Sequence, residues 1–328
     1  MLSLTFSAQD VANTRLGFSA LQEAVFSLLA LKDPAKHTIH LKWLKQTKAE
    51  IEQIGLDISP VADLILPPGW SIPDFLTPPP AGPMPDFDDE LDELAKTSHE
   101  QVRADLRTLT GPWPPIAHLL YDDPATGLDL ICRFLSDYWQ LTLAPYWPAM
   151  RSVLEGDVLY RASQLARGGA AQLFSDLAPT VRWDEQGLQV AHRGLSGLVS
   201  LDGAGLLLVP SIFVWPAVFT TTAMPWQPTM IYPARASGNL WNASRAKSVS
   251  ALSAVIGGAR GRLLLELSAP ASGSDLALRV GLSPGGASQQ LTLLRAAGLV
   301  TSHRIGRVVL FSRTALADEL VSEISDLP

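Results

Sequence analysis

The apolar positions of this chain change their period along its length, and each change marks a change of element. Leu2, Leu4 and Phe6 alternate with polar residues and predict a short strand over 2–6. A period near 3.6 follows and predicts helices over 8–16, 19–31 and 40–54. Nine prolines between Pro60 and Pro85 exclude regular structure over most of that run. The acidic string from Asp86 to Glu93 opens the next helix, since carboxylates in a first turn suit the helix dipole. Helical spacing continues over 90–109, 128–143 and 148–167, with Gly168-Gly169 as the terminating cap. Beyond Pro179 the period falls to two. Residues 180–184 and 188–192 read as a hairpin, and 205–209, 212–215 and 229–232 as further strands. The expectation is an α+β fold whose first part is a large helical domain carrying an antiparallel sheet.

Helical spacing returns near Arg260. Ser274 is positioned to cap a short helix with Leu276, Ala277 and Val280 on one face, Gly281 permits a left-handed turn, and Leu282 plugs the angle to the next helix. Ser283 caps that helix and Pro284 occupies its first position, where a missing N–H costs nothing. Ala287, Leu291 and Leu294 then fall on one apolar face. The opposite face carries Gly285, Ser288, Gln289 and Thr292, without the Glu and Lys pairs of an ordinary solvated helix. Two alternating strands follow, 301–304 and 308–312, joined at Ile305-Gly306 between Arg304 and Arg307. The pattern predicts a C-terminal winged helix-turn-helix.

Composition divides the chain at the same place. All nine tryptophans and 22 of 25 prolines precede residue 245, which sets expected domains at 1–244 and 245–328. The formal charge of -7 argues against nucleic acid until it is split. Residues 1–244 hold 16 Lys+Arg against 26 Asp+Glu, while residues 245–313 hold 9 against 2. A basic binding module attached to an acidic one follows. No apolar run approaches the ~18 residues of a membrane span, so no membrane partner is expected. The first ten residues lack the basic start and apolar stretch of a secretion signal, and the lone Cys132 cannot close an intramolecular disulfide. A cytoplasmic, nucleoid-associated protein is expected.

The string Asp275-Leu-Ala277, Gly281-Leu-Ser283, Ala287-Ser-Gln-Gln-Leu291, Ala297-Gly-Leu-Val300 and Gly306-Arg307 resembles the ArsR family of winged-helix repressors. The likeness covers residues 250–325 and departs from the family at Gln290, where His is frequent. It implies a cytoplasmic homodimer on a palindromic operator in double-stranded DNA, dimerising through the first and last helices of the domain and released by an effector. The segments 206–213 and 231–235 also resemble a long uncharacterised N-terminal domain of actinobacterial ArsR-type regulators. The candidate DNA-contacting residues are Gly285, Ser288, Gln289, Gln290, Thr292 and Arg295 on the helix, with His303, Arg304 and Arg307 on the wing.

The metal ligands by which many relatives sense are missing. Residues 274–280 have no Cys or His and residues 315–326 no His, so no metal or cofactor is expected. His37 and His40 read as polar surface residues. A small-molecule effector suits the tryptophan-rich first domain, with Trp139, Trp147, Trp215, Tyr232 and Arg235 as candidate ligand-binding residues, Arg235 for an acidic group. Cys132, inside an apolar helical pattern, reads as an inert thiol. No nucleophile elbow, phosphate loop or zinc-protease motif is present, and no enzyme is expected. The rival readings are control by a partner protein and an enzyme that uses the winged helix as an interaction module.

Overall fold

The structure, a computed structural model, describes residues 1–65, 71–109, 111–184, 187–191, 196–241, 256–305, 308–314, 316–318 and 320–321. The chain divides into two compact units, Met1–Gly238 and Asn239–Pro328. The boundary expected between 244 and 245 lies outside the described residues. Helices and sheets both contribute, so the class is α+β.

The helices of the N-terminal unit are α1 (Ala8–Asn13), α2 (Ala20–Lys32), α3 (Leu41–Ile54), α4 (Ser59–Ala62), α5 (Phe87–Ala95), α6 (His99–Thr108), α7 (Pro115–Asp122), α8 (Pro124–Thr142) and α9 (Trp147–Phe174). Helix α2 starts where the Ser19 hydroxyl accepts the Gln22 N–H, and it is buried on every side from Ala20 to Leu31, as a helix without a polar face must be. The helix expected over 90–109 is two helices. Ser98 leaves helical geometry (ψ 140°) and caps α6 through the Gln101 N–H, which outweighs the continuous apolar period. The period did not predict α7, which opens on Pro115 after a run of prolines and tryptophan. Gly168 and Gly169 interrupt α9, Gly169 with φ of 62°, yet the helix resumes to Phe174 instead of ending there.

Two four-stranded sheets complete this unit. One has the order β3-β4-β1-β5, from β1 (Leu2–Thr5), β3 (Val181–Asp184), β4 (Gly187–Val190) and β5 (Gly197–Ser200). The other has the order β2-β6-β8-β7, from β2 (Arg15–Leu16), β6 (Leu207–Ser211), β7 (Phe219–Thr221) and β8 (Thr229–Pro233). Both are mixed: β1 runs antiparallel to β4 and parallel to β5, while β8 runs parallel to β6 and antiparallel to β7. This corrects the expected antiparallel sheet, because a period of two reveals a strand and not its partner. Leu2 pairs with Gly197, almost two hundred residues away in the sequence. Residues 212–214 are buried and Trp215 is exposed, and none of the four forms a strand. The ladder stops at Ser211, and the Ile212 N–H turns to the Glu23 carboxylate at 2.8 Å. Leu2, Leu4, Leu188 and Val190 share one core with Leu208, Met230 and Tyr232, closed by Leu173 and Phe174 of α9.

The C-terminal unit contains α10 (Gly258–Glu266), β9 (Ala271–Ser272), α11 (Gly273–Val280), α12 (Pro284–Ala296), β10 (Val300–Ile305) and β11 (Val308–Arg313), with sheet order β10-β11-β9 and antiparallel pairing throughout. Leu263, Leu264, Leu267, Leu276, Val280, Leu291, Leu294 and Val300 form its core. The cap of α11 is Ser272 and not Ser274. The Ser272 hydroxyl accepts the Asp275 N–H at 3.1 Å and donates to the Asp275 carboxylate at 2.7 Å, so the helix begins two residues early.

Candidate functional site

Helices α11 and α12 are set by their termini. Gly281 takes the left-handed conformation (φ 72°, ψ 37°) and lets the Leu282 N–H reach back to the Ala277 carbonyl at 2.8 Å. Ser283 then accepts the Gly286 N–H at 3.1 Å and starts α12 on Pro284. With Ala287, Leu291 and Leu294 buried, α12 is held with one face inward, and Gly285, Ser288, Gln289 and Thr292 are exposed together on the other. A Cβ at Gly285 would meet nothing within 4 Å, so packing does not require that glycine. It leaves backbone bare on the exposed face. The Thr292 hydroxyl donates to the Ser288 carbonyl at 2.9 Å.

The predicted residues of this unit are not all brought together. Gln290 sits apart from the exposed face and is partly buried, its Oε1 accepting from Arg260 of α10 at 3.5 Å. Arg295 extends from the last turn of α12 to the hairpin, where its Nη1 donates to the Ser302 hydroxyl at 3.1 Å. Directly opposed strand residues share a face, so the pairs Ser302 with Phe311 and Arg304 with Val309 lie on the side that meets α12 and the core. His303, paired with Leu310, lies on the other side. Arg304 and His303 therefore cannot face the same surface. Arg307 and Gly306 lie outside the described residues. Of the remaining cations, Arg262, Arg279, Arg295 and Arg304 are exposed, whereas Arg313 is partly buried against Asp318 at 2.8 Å.

In the N-terminal unit the candidate residues separate into an aromatic stack and a polar network. Trp139 lies flat on Phe87 with centroids 4.4 Å apart, Trp147 meets it edge-on at 5.1 Å, and Phe18 follows at 6.1 Å. These contacts are the packing of α8 against α5 and the start of α9. Tyr232 is fully buried, and its hydroxyl donates to the Asp157 carboxylate at 2.6 Å. The Arg235 N–H donates to the other Asp157 oxygen at 3.0 Å, and its exposed guanidinium covers the Tyr160 ring at 3.6 Å. Trp215 is 37% exposed, and among the described residues no ring contact joins it to the stack.

Several buried groups escaped the sequence. Arg161 is fully buried between Asp157, at 3.7 Å, and Asp176, and its Nη2 also donates to the Asp176 carbonyl at 3.1 Å. The spacing of Asp157 and Arg161 by one helical turn was the available signal. Glu23 holds the Ile212 N–H, among the described residues no cation pairs with it, and burial pushes its carboxyl up to about 8. His37 and His40 are buried, not on the surface, with stacked rings 6.3 Å apart, and desolvation pushes His40 down to about 3. Among the described residues no group of three or more His, Cys, Asp or Glu side chains is arranged to hold a metal ion. Burial pushes the half-buried Cys132 thiol up to about 11, which leaves little thiolate at neutral pH.

Residues 114–238, from just before α7 to the end of the N-terminal unit, match DUF5937, a family of unknown function. No curated protein and no solved structure gives a significant match to the chain. Among the described residues no helix is long and apolar enough to cross a membrane.

Proposed function

We propose that the C-terminal unit is a winged helix-turn-helix and that the protein is a homodimeric DNA-binding regulator, a repressor released from its operator by a small-molecule effector. In this reading α11 and α12 form the helix pair, α12 enters the major groove, and the β10–β11 hairpin is the wing. The observation that carries it is the exposed, uncharged face of Gly285, Ser288, Gln289 and Thr292, set in a stretch with 9 basic and 2 acidic residues. A solvated helix face would carry charges, whose hydration resists docking. Side-chain amides and hydroxyls shed water at lower cost and match base edges, Gln to adenine N6 and N7. Arg295 and Arg304, on the adjoining hairpin side, are suited to phosphate.

The resemblance to ArsR repressors supports the homodimer, the palindromic operator and a place beside the nucleoid in the cytoplasm. The N-terminal unit is then the input. Of the five residues considered for an effector, Trp215 and Arg235 reach the surface and are the first an incoming ligand meets. Fluorescence anisotropy on an operator and on random duplexes tests the output. Gln289→Ala is expected to cost about 1–3 kcal/mol of discrimination while sparing nonspecific affinity. Arg304→Ala should weaken every sequence and lower the salt slope by about one. A Gln289→Ala loss equal on all sequences would count against α12 as the reading helix.

A further inference from the structure

Arg260 occupies an unusual position for a cation in a basic unit, since it is committed to contacts inside the protein. Its Nε donates to the Ile256 carbonyl one turn back, its Nη1 reaches Gln290 of α12 at 3.5 Å, and its guanidinium covers Gly257. Gly257 precedes α10 with φ of 90°, a conformation that favours glycine, and a Cβ there would stand 2.8 Å from Arg260 Nη2. One planar fork therefore ties the segment by which the chain enters α10 to the inner flank of the exposed helix. Guanidinium suits this bridge because its donors are fixed in a plane and serve two acceptors at once.

We infer that Arg260 and Gln290 form a positioning pair that sets α12 relative to the segment 256–257, and that Gln290 supports base reading without making it. The inference rests on the proposed DNA-binding reading and supplies its regulatory route: displacement of the entry segment, which lies toward the N-terminal unit in the chain, pulls on α12 through Arg260. Gln289 reads bases and Gln290 orients the helix that carries Gln289.

A double-mutant cycle in the full-length protein tests this, with operator and random-duplex affinities measured by anisotropy across a salt series. Arg260→Ala and Gln290→Ala should each reduce discrimination by about fivefold, with no further loss when combined, as expected for residues acting as one unit. The salt slope should stay unchanged, because neither variant removes a phosphate contact. Gln290→Glu, which keeps an acceptor for Arg260, should preserve more discrimination than Gln290→Ala. Additive losses would make Gln290 an independent base contact and overturn the pairing. A salt slope lowered by about one in Arg260→Ala would make Arg260 a phosphate contact and overturn it equally. Wild-type protein that discriminates, alongside two variants that discriminate as well, would refute the pair alone. Wild-type protein that binds all duplexes alike would instead refute the DNA-reading function beneath it, and the pair with it. Should Arg260→Ala melt early, the Gln290 variants decide the outcome.

Discussion

Among the described residues, every buried polar or charged side chain lies in the N-terminal unit, from Asp10 to Ser237, whereas the C-terminal unit closes its core on Leu, Val and Ala. The difference follows the topology. In the N-terminal unit, segments distant in sequence meet, and directional bonds fix their register: Glu23 to Ile212, Asp157 to Tyr232, Asp10 to Gly205. In the C-terminal unit, successive short elements pack on their neighbours and apolar periodicity suffices. Polar chemistry is thus interior in one unit and superficial in the other. A unit that spends its Gln, Ser and Thr on an exposed helix face has them available for an outside partner.

The largest effect that would break this contrast is expected at Arg161. Arg161→Ala leaves Asp157 buried without its cation and should cost the N-terminal unit about 3–5 kcal/mol in urea unfolding. A loss below about 1 kcal/mol would show that the polar network is dispensable. Leu291→Ala should cost the C-terminal unit about 2–5 kcal/mol through the cavity it leaves, and should leave the Trp139–Trp147 stack folded by tryptophan fluorescence. Simultaneous loss of both units would contradict their separate cores.

Stability against pH sharpens the comparison. The Glu23 carboxyl sits at about 8 when folded against 4.5 as a reference, so the folded unit keeps a proton that the unfolded chain releases between those values. Stability falls as pH rises through that window. Glu23→Gln should flatten the fall by up to about 1.4 kcal/mol per pH unit. His40 acts with opposite sign, since its folded value of about 3 against 6.5 removes stability as pH drops through that lower window. No described carboxylate of the C-terminal unit is buried, and that unit should hold its stability from pH 5 to 8. The smallest effect belongs to Ser283→Ala, which should destabilise α12 by about 1 kcal/mol through its lost cap, measured by amide exchange in the first turn.

Legibility in the sequence followed the same divide. The cap Ser283, the left-handed turn at Gly281, the buried trio Ala287, Leu291 and Leu294, and the exposed trio Ser288, Gln289 and Thr292 all follow from spacing of a few residues. What spacing missed depends on distant partners: the parallel pairing of β1 with β5, the end of β6 at Ser211 where Glu23 captures the next amide, and the burial of His40 against Phe213 at 4.7 Å. Gln290 shows the limit at close range. Adjacent to Gln289 in sequence, it is turned by the helical period toward Arg260 and away from the exposed face.

The central claim is that α12 reads DNA sequence. Selection of binding sites from a randomised duplex library by the full-length protein tests it most directly, with a Ser288→Ala, Gln289→Ala double variant as control. The predicted result is an inverted repeat whose half-sites are centred about 34–36 Å apart, or a multiple, for the wild type, and loss of that motif for the variant. Recovery of no enriched motif by the wild type, or of the same motif by both proteins, would contradict it.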